Sequence, residues 1–566
     1  MRWQIIILLC LKLLITTGYG QERYAVLITE FLSDPSPPRN LPNAEFIELT
    51  NVSNFPVNLL NWQIGDNSST ALIRTEFILM PGKQVIICPR TAEAEYSELG
   101  DALGITGFPS LNNDADHIIV YNESGKVIHA ISYNTTWFKN PLKAEGGWSI
   151  EMINTNTPCL GIENYTASID ENGGTPGKIN SVNNNNPDKL PPAITNAYFK
   201  TEKTLLINFS EPIKEEMIHA GFLKIEDYSG KIINFEFSSP FNEEITFYLN
   251  EAIVKDKIYI INVPELTDCA GNRNLNIKFK AALAASLSPE KLIINEILFN
   301  PPSGGSDYLE IYNRSSSTFD LSRLYIAGRT PSGEIQQIRK LTDKTILLFP
   351  GEFRLITPDI DFVVSWYNVK DDPQIFLNSP LPSLPDDKGT ILLLGENGII
   401  IDELSYSNKW HHPLIKDENG VSLERINSEV STSNKDNWTS ASAAFGYGTP
   451  GFRNSQHRNE NQIKGTLEAL PEIFSPNGDG YEDLLIIRYK LNKPNSSGSI
   501  TITDRSGIIV KHILRNGILG NNGFFHWNGL NDKNQELPAG VYIIIFSIIS
   551  PDGSSDKMYK PIVLVR

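Results

Sequence analysis

Short apolar runs rich in β-branched residues recur along this chain, and polar turn residues bound them. Residues 85–88, 118–120 and 391–394 are such runs. Phe46, Ile47 and Leu49 form another around Glu45 and Glu48. Glu123-Ser124-Gly125 and Glu396-Asn397-Gly398 follow two of the runs as turns. Asn-Gly between apolar runs favours a tight hairpin, because both residues accept positive φ. No stretch keeps apolar residues at helical spacing between caps. Many short strands at such spacing predict an all-β chain built of antiparallel sandwiches.

The pattern occurs twice. One copy opens Ile28-Thr29-Glu30-Phe31-Leu32-Ser33-Asp34-Pro35, and a second opens Ile294-Asn295-Glu296-Ile297-Leu298-Phe299-Asn300-Pro301. Glu45-Phe46-Ile47-Glu48-Leu49-Thr50-Asn51 then matches Asp307-Tyr308-Leu309-Glu310-Ile311-Tyr312-Asn313. Leu79-Met80-Pro81-Gly82 matches Leu348-Phe349-Pro350-Gly351, and Ser149-Ile150-Glu151 matches Ser422-Leu423-Glu424. The copies close with Gly174-Thr175-Pro176-Gly177 and Gly448-Thr449-Pro450-Gly451. Order kept over so long a span indicates a diverged duplication.

Between the copies, residues 181–192 are rich in Asn and Pro and read as a linker. Strand-like runs at 205–209 and 259–263 follow, with turns Ser210-Glu211-Pro212 and Asp268-Cys269-Ala270-Gly271-Asn272. A second polar segment, 456–465, precedes the last domain. These segments predict domains strung like beads on short linkers.

Residues 1–20 read as a secretory signal peptide: Arg2 is the basic start, the following run is apolar, and Gly18 and Gly20 precede a cut at Gln21. The run is shorter than the ~20 residues a bilayer requires. No later run is long enough to span a membrane. With 566 residues, 40% of them hydrophobic and 10% aromatic, the chain can bury several cores. The formal net charge of −17 repels phosphate backbones, so nucleic acid is excluded as a partner. The mature chain keeps Cys88, Cys159 and Cys269 in no metal or redox spacing. They read as small buried residues, with a Cys88–Cys159 bridge as the alternative.

Candidate chemistry is sparse. Glu30, Glu45, Glu48 and Glu151, with Glu296, Glu310 and Glu424 in the second copy, are recurring carboxylates. A glycosidase uses such pairs, but repetition in both copies suits a structural role at strand edges or turns. The polar turn Asp114-Ala115-Asp116 aligns with Asp386-Asp387-Lys388. Asn477, Asp479 and Asp483 place oxygen ligands as at the start of a calcium loop, yet Tyr481 and Arg488 stand where an EF-hand needs ligands. A turn made by Gly478 and Gly480, with these side chains bonding local backbone, is the competing reading and the favoured one. His411 and His412 are adjacent and lack the spaced partner a shared ion needs, so they read as a loop pair. No motif for nucleophilic, zinc-dependent or phosphate chemistry occurs. No catalytic residue and no cofactor is assigned beyond this calcium candidate.

Three resemblances follow from these residues. The Asn-Glu-Ile and Asn-Pro opening, the Glu-bearing strand, the central Pro-Gly and the closing Gly-Thr-Pro-Gly resemble the bacterial lamin-tail domain, which implies an immunoglobulin-like sandwich and no catalytic set. The middle domain resembles surface-layer Ig-like domains. Phe474-Ser475-Pro476-Asn477-Gly478-Asp479-Gly480, Trp527-Asn528-Gly529, Pro538-Ala539-Gly540-Val541-Tyr542 and the last strand, 560–566, resemble the C-terminal (type B) domain of gliding-motility-associated, type IX-secreted bacterial proteins. A flagellar hook-capping sandwich has a similar pattern, which the signal peptide and the repeats disfavour. The expected chain is a multidomain series of tandem immunoglobulin-like β-sandwiches: signal peptide 1–20, lamin-tail copies 21–183 and 291–456, a surface-layer-type domain 190–283, and a sorting domain 469–566. The expected function is non-enzymatic binding or scaffolding by a secreted or surface-held protein. Its expected partners are the secretion machinery, through the C-terminal domain, and an extracellular protein or glycan. The alternatives are an accessory to a secreted nuclease, phosphatase or other hydrolase, and a structural surface-layer component.

Overall fold

The computed structural model describes residues 22–566 except 67, 220, 368, 370, 371, 373 and 459–464. The expected signal peptide and its cut at Gln21 lie outside the described residues. The chain is predominantly β-strand and multidomain. It divides into two compact units, Met1–Val254 with Ile258–Ala281, and Lys255–Lys257 with Ala282–Arg566.

In the first unit a six-stranded sheet runs Tyr165–Ala167, Ile150–Met152, Val26–Leu32, Phe46–Asn51, Gln84–Pro89, Ala102–Ile105. A four-stranded sheet, Val127–Asn134, Ala115–Tyr121, Gln63–Gly65, Thr70–Leu72, shares its core. Ile28, Ile47 and Ile87 from one sheet and Ile64, Ile118, Val120 and Ile131 from the other meet in that core. The second unit repeats the order strand for strand. Its six-stranded sheet is Trp438–Ser440, Leu423–Arg425, Leu292–Leu298, Tyr308–Asn313, Phe353–Thr357, Phe376–Asn378. Ile400–Ser407, Lys388–Gly395, Leu324–Arg329 and Ile335–Lys340 make its second sheet. Even the irregularity is repeated: pairing shifts between Ile28 and Glu30, and again between Ile294 and Glu296.

Each six-stranded sheet ends in a parallel pair. Parallel neighbours need a crossover, commonly helical, and short helices lie there: Glu93–Tyr96 in one copy, Ile360–Tyr367 in the other. Eight residues or fewer are too short to show a helical period, so the sequence pattern does not reveal them. They cover the outer sheet face. Tyr96 and Ala92 pack on Leu32, Phe46, Ile86 and Cys88, and Val363 and Tyr367 pack on Leu298, Tyr308 and Leu355. Sheets covered on both sides explain why all seven residues of Val26–Leu32 and of Leu292–Leu298 are buried.

The middle domain has a four-stranded sheet (Ile194–Thr201, Thr204–Phe209, Glu244–Leu249, Ile232–Phe237) and a three-stranded one (Lys224–Ile225, Tyr259–Thr267, Arg273–Ala281). A Cys159–Cys269 disulfide ties it to the first copy, with Cα atoms 6.1 Å apart. The Cys88–Cys159 alternative is therefore wrong, and Cys159 and Cys269 are not free thiols; among the described residues Cys88 alone is free, and it is buried. Cys88 sits in the apolar outer-face cluster. The true pair is brought together only by packing of two domains, which sequence spacing does not show.

The C-terminal domain pairs a three-stranded sheet (Thr466–Leu470, Leu485–Lys490, Asn522–Trp527) with a five-stranded one (Ile473–Phe474, Ser555–Leu564, Gly540–Ile549, Ser496–Asp504, Ile509–Leu519). Trp527 and Tyr542 are core residues, edge to face at 5.6 Å.

The polar linkers are not free tethers where described. Asn180 donates to Thr29 O and Met152 O at 2.8 Å each, and Val182 N donates to Glu151. Gln456 is fully buried (0% exposed). Its amide donates to Ser440 O and Leu519 O, and its Oε1 accepts from Asn495 N. Side-chain amides that cap strand edges make these polar runs part of the folded domains.

Candidate functional site

The recurring carboxylates converge. Glu30 lies directly opposite both Glu48 and Glu151 on neighbouring strands. Glu296 lies opposite both Glu310 and Glu424 in the same way. All six are fully buried. Alternation along a strand puts Glu30 on the face of Leu32, and Glu48 on that of Phe46, so the row continues the covered outer face.

The closing Gly-Thr-Pro-Gly lies over this row. Thr175 N donates to Glu30 Oε1 at 2.8 Å, Thr175 Oγ1 to Glu151 at 2.9 Å, and Gly177 N to Glu48 at 2.7 Å. Thr449 N donates to Glu296 at 3.0 Å, Thr449 Oγ1 to Glu424 at 2.8 Å, and Gly451 N to Glu310 at 2.6 Å. Ser149 and Ser422 hydroxyls add bonds to Glu30 and Glu296. Both ends of the motif require glycine. A Cβ on Gly174 would lie 2.6 Å from Glu30 Oε1, and Gly177 and Gly451 have φ of +78° and +82°.

No lysine or arginine pairs with these six among the described residues. Burial, then repulsion from Glu48 and Glu151, raises the Glu30 carboxyl well above its usual range. Burial pushes Glu48 up to about 7. Burial raises Glu296, lifts Glu310 well above normal with help from Glu296, and pushes Glu424 up to about 8. Protonated members of the row can share hydrogen bonds instead of repelling. A glycosidase pair must meet a sugar, and these carboxylates are closed even to water. The row is a clasp that holds the end of the domain onto its first strands.

The other candidates fall elsewhere. Glu45 accepts from Leu111 N at 3.2 Å, outside the row, and burial raises it to about 7. Its counterpart Asp307 is raised to about 6 by burial and by Asp386. Asp116 accepts from Asn112 N at 3.0 Å and Asn112 Nδ2 at 2.8 Å, closing the polar turn. His411 is buried and shares a hydrogen bond with Ser440 Oγ at 2.9 Å; the backbone N–H of His412 donates to the same hydroxyl, and the His412 ring accepts from Leu414 N, so both rings bond locally.

Asn477, Asp479 and Asp483 do come together. Gly478 N and Gly480 N donate to the two oxygens of Asp483, at 2.7 and 2.8 Å. Asp479 N donates to Asn477 Oδ1, and Tyr481 N to Asp479 Oδ1. Backbone donors to Asp479, then the Asn477 amide, hold its carboxyl below the usual range. The oxygens are thus engaged by local N–H groups. Cys159, Asp188 and Glu211 form a separate group of potential ligand atoms, but the Cys159 sulfur is already spent in the disulfide.

Comparison with known proteins places both ends. Residues 21–135 match the lamin tail domain, and 468–565 match the CHU_C type IX secretion signal domain. The chain carries a lamin-tail domain and a type IX sorting domain. Both matched stretches are non-catalytic modules, the second a secretion-sorting one. No curated protein matches the whole chain in sequence. Among solved structures, the N-terminal part of the bacterial S-layer protein SbsC is 11% identical, over 38% of this chain and 44% of that one, at TM-score 0.17. A DUF4876 family protein from Bacteroides thetaiotaomicron is 15% identical, over 38% and 90%, at 0.19. PorZ from Porphyromonas gingivalis is 10% identical, over 92% and 74%, at 0.16. The chain spans about half the length of the SbsC structures it matches. Among the described residues no helix is long and apolar enough to cross a membrane.

Proposed function

We propose that the mature chain is a non-catalytic binding scaffold displayed at the outer cell surface. Its domains are tandem immunoglobulin-like sandwiches at 21–183, 190–283, 291–456 and 469–566, and its last domain is the address. The sorting-domain match at 468–565 carries this reading. The separate core of that domain, from Ala469 to Leu564, supports its acting as a recognisable folded module. The clasps in both lamin-tail-like copies make rigid platforms, which suits display of a binding face. The ligand is an extracellular protein or glycan.

Deleting 469–566 tests the address. The truncated chain should remain folded and accumulate in the periplasm, where the signal peptide delivers it. Appearance of the truncated chain outside the cell at the normal level would refute the proposal.

A further inference from the structure

The two copies differ at one surface. On the strands of the second copy, Tyr312 lies directly opposite Phe353, and the rings stack with centroids 4.7 Å apart. They line a cleft of about 590 Å³, together with Asn427, Arg453, His457, Arg458 and one carboxylate, Glu429. That volume lies within the ~300–1,000 Å³ of small-ligand sites. Both rings are half-buried, and Arg453 and Arg458 are exposed. Neither guanidinium has an ion-pair or hydrogen-bond partner among the described residues. In a chain of net charge −17, two unpaired cations beside a stacked aromatic pair are unusual.

Folding does not demand them. In the first copy the paired positions are Thr50 and Gln84. Thr50 bonds Thr29, and Gln84 donates to Glu48 and to Lys178 O, so that surface is occupied by internal bonds. Counted from the closing glycine, Ile179 and Asn184 stand where Arg453 and Arg458 stand.

We propose that this cleft binds an acidic glycan, a sugar chain bearing carboxylate groups. The inference rests on the surface-binding reading above and names its site and ligand class. A flat aromatic pair offers a face for the C–H side of a pyranose ring. Guanidinium groups recognise carboxylates through paired, charge-assisted N–H bonds. Asn427 keeps its amide N–H donors for hydroxyls, since only its Oδ1 is engaged, by Glu429 N at 2.9 Å. The net charge of −17 opposes every polyanion at long range, so the attraction here is the short-range one of the two arginines.

The purified mature chain is titrated calorimetrically with an oligogalacturonate and with its methyl-esterified, neutral form. The acidic form should bind and the neutral form should bind at least about tenfold more weakly, the scale of one lost charge-assisted contact. Arg453→Ala with Arg458→Ala, both exposed, should weaken the acidic form about tenfold and leave the melting temperature unchanged. Phe353→Leu should weaken both sugars, and circular dichroism reports whether it folds. Equal binding of both sugars, no binding of either, unchanged affinity in the double arginine variant, or equal competition by polyglutamate would each overturn the proposal. The measurement uses purified protein, so it fails independently of the export test.

Discussion

The two lamin-tail-like copies solve one problem with different chemistry. The pairing irregularity at the first strand frees an amide, Ile28 N in one copy and Ile294 N in the other. In the first copy His129 Nδ1 accepts it at 2.8 Å. In the second, Asp402 Oδ2 accepts it at 2.7 Å. The carbonyl of the same residue also needs a donor. Tyr165 OH supplies it to Ile28 at 2.7 Å, whereas Arg425 Nε supplies it to Ile294 at 2.8 Å. Arg425 replaces Met152 and stands 3.6 Å from Asp402, with its guanidinium over the Trp438 ring. Burial pushes His129 down to about 3, so the first copy keeps a neutral acceptor. The second introduced a charged acceptor and, with it, a buried cation. The fold fixes the demand for a donor and an acceptor at this place, and leaves the charge of the pair free.

That comparison breaks most visibly at Arg425. Arg425→Met leaves Asp402 buried without its cation and should cost about 3–5 kcal/mol. Adding Asp402→His should recover much of the loss, because it restores the neutral combination of the first copy. Chemical denaturation of both variants, read as a double-mutant cycle, checks this. Losses that simply add would show that the two positions are not a pair.

A smaller effect concerns what the copies share. A carboxyl whose folded pKa exceeds its unfolded value of about 4.5 stabilises fully below that value, and the contribution fades as pH rises through the folded pKa. For Glu48 that loss runs from about pH 4.5 to about 7, and for Glu424 from about 4.5 to about 8, and it is complete above those values. At about 1.4 kcal/mol per pH unit the loss is on the order of 3 kcal/mol for Glu48 and about 5 kcal/mol for Glu424. His129 acts oppositely, since its depressed pKa withdraws stability as pH falls below about 6.5. Unfolding midpoints should therefore decline from about pH 5 to 8 and level off above, and Glu48→Gln should flatten the decline. A stability that keeps rising to pH 9 would contradict the clasp electrostatics.

The smallest effect separates the clasps from the turn of the last domain. There Asn477, Asp479 and Asp483 already receive backbone donors, so a chelator should leave the melting temperature of the C-terminal domain within about a degree. A clear fall on chelation would reinstate calcium.

Much of this was legible in the sequence. The duplication could be read because Glu30 and Glu296, and the two Gly-Thr-Pro-Gly segments, keep their order, and the carboxylates could be singled out because they recur. Their convergence could not, since Thr175 lies 145 residues from Glu30 and Thr449 lies 153 from Glu296. The Asp402–Arg425 pair was hidden because its first-copy counterparts are uncharged, which removes the repetition that made the glutamates visible. Tyr312 was visible only as part of the repeated strand and Phe353 was not singled out, as alternation alone does not distinguish an aromatic residue that faces solvent.

The span between clasp and closing segment also sets a clock. A chain emerging from the N-terminal end presents Glu30 long before Thr175 exists to meet it, and the second copy waits as long again. Contacts of such separation form slowly, because the loop between them must be closed first. Until that moment Glu30 and Glu48, joined by Glu151 only 24 residues before Thr175, stand open to water and ionise freely. Each copy is thereby latched last by the residues made last, and the pause before latching is a period in which the polypeptide remains threadable.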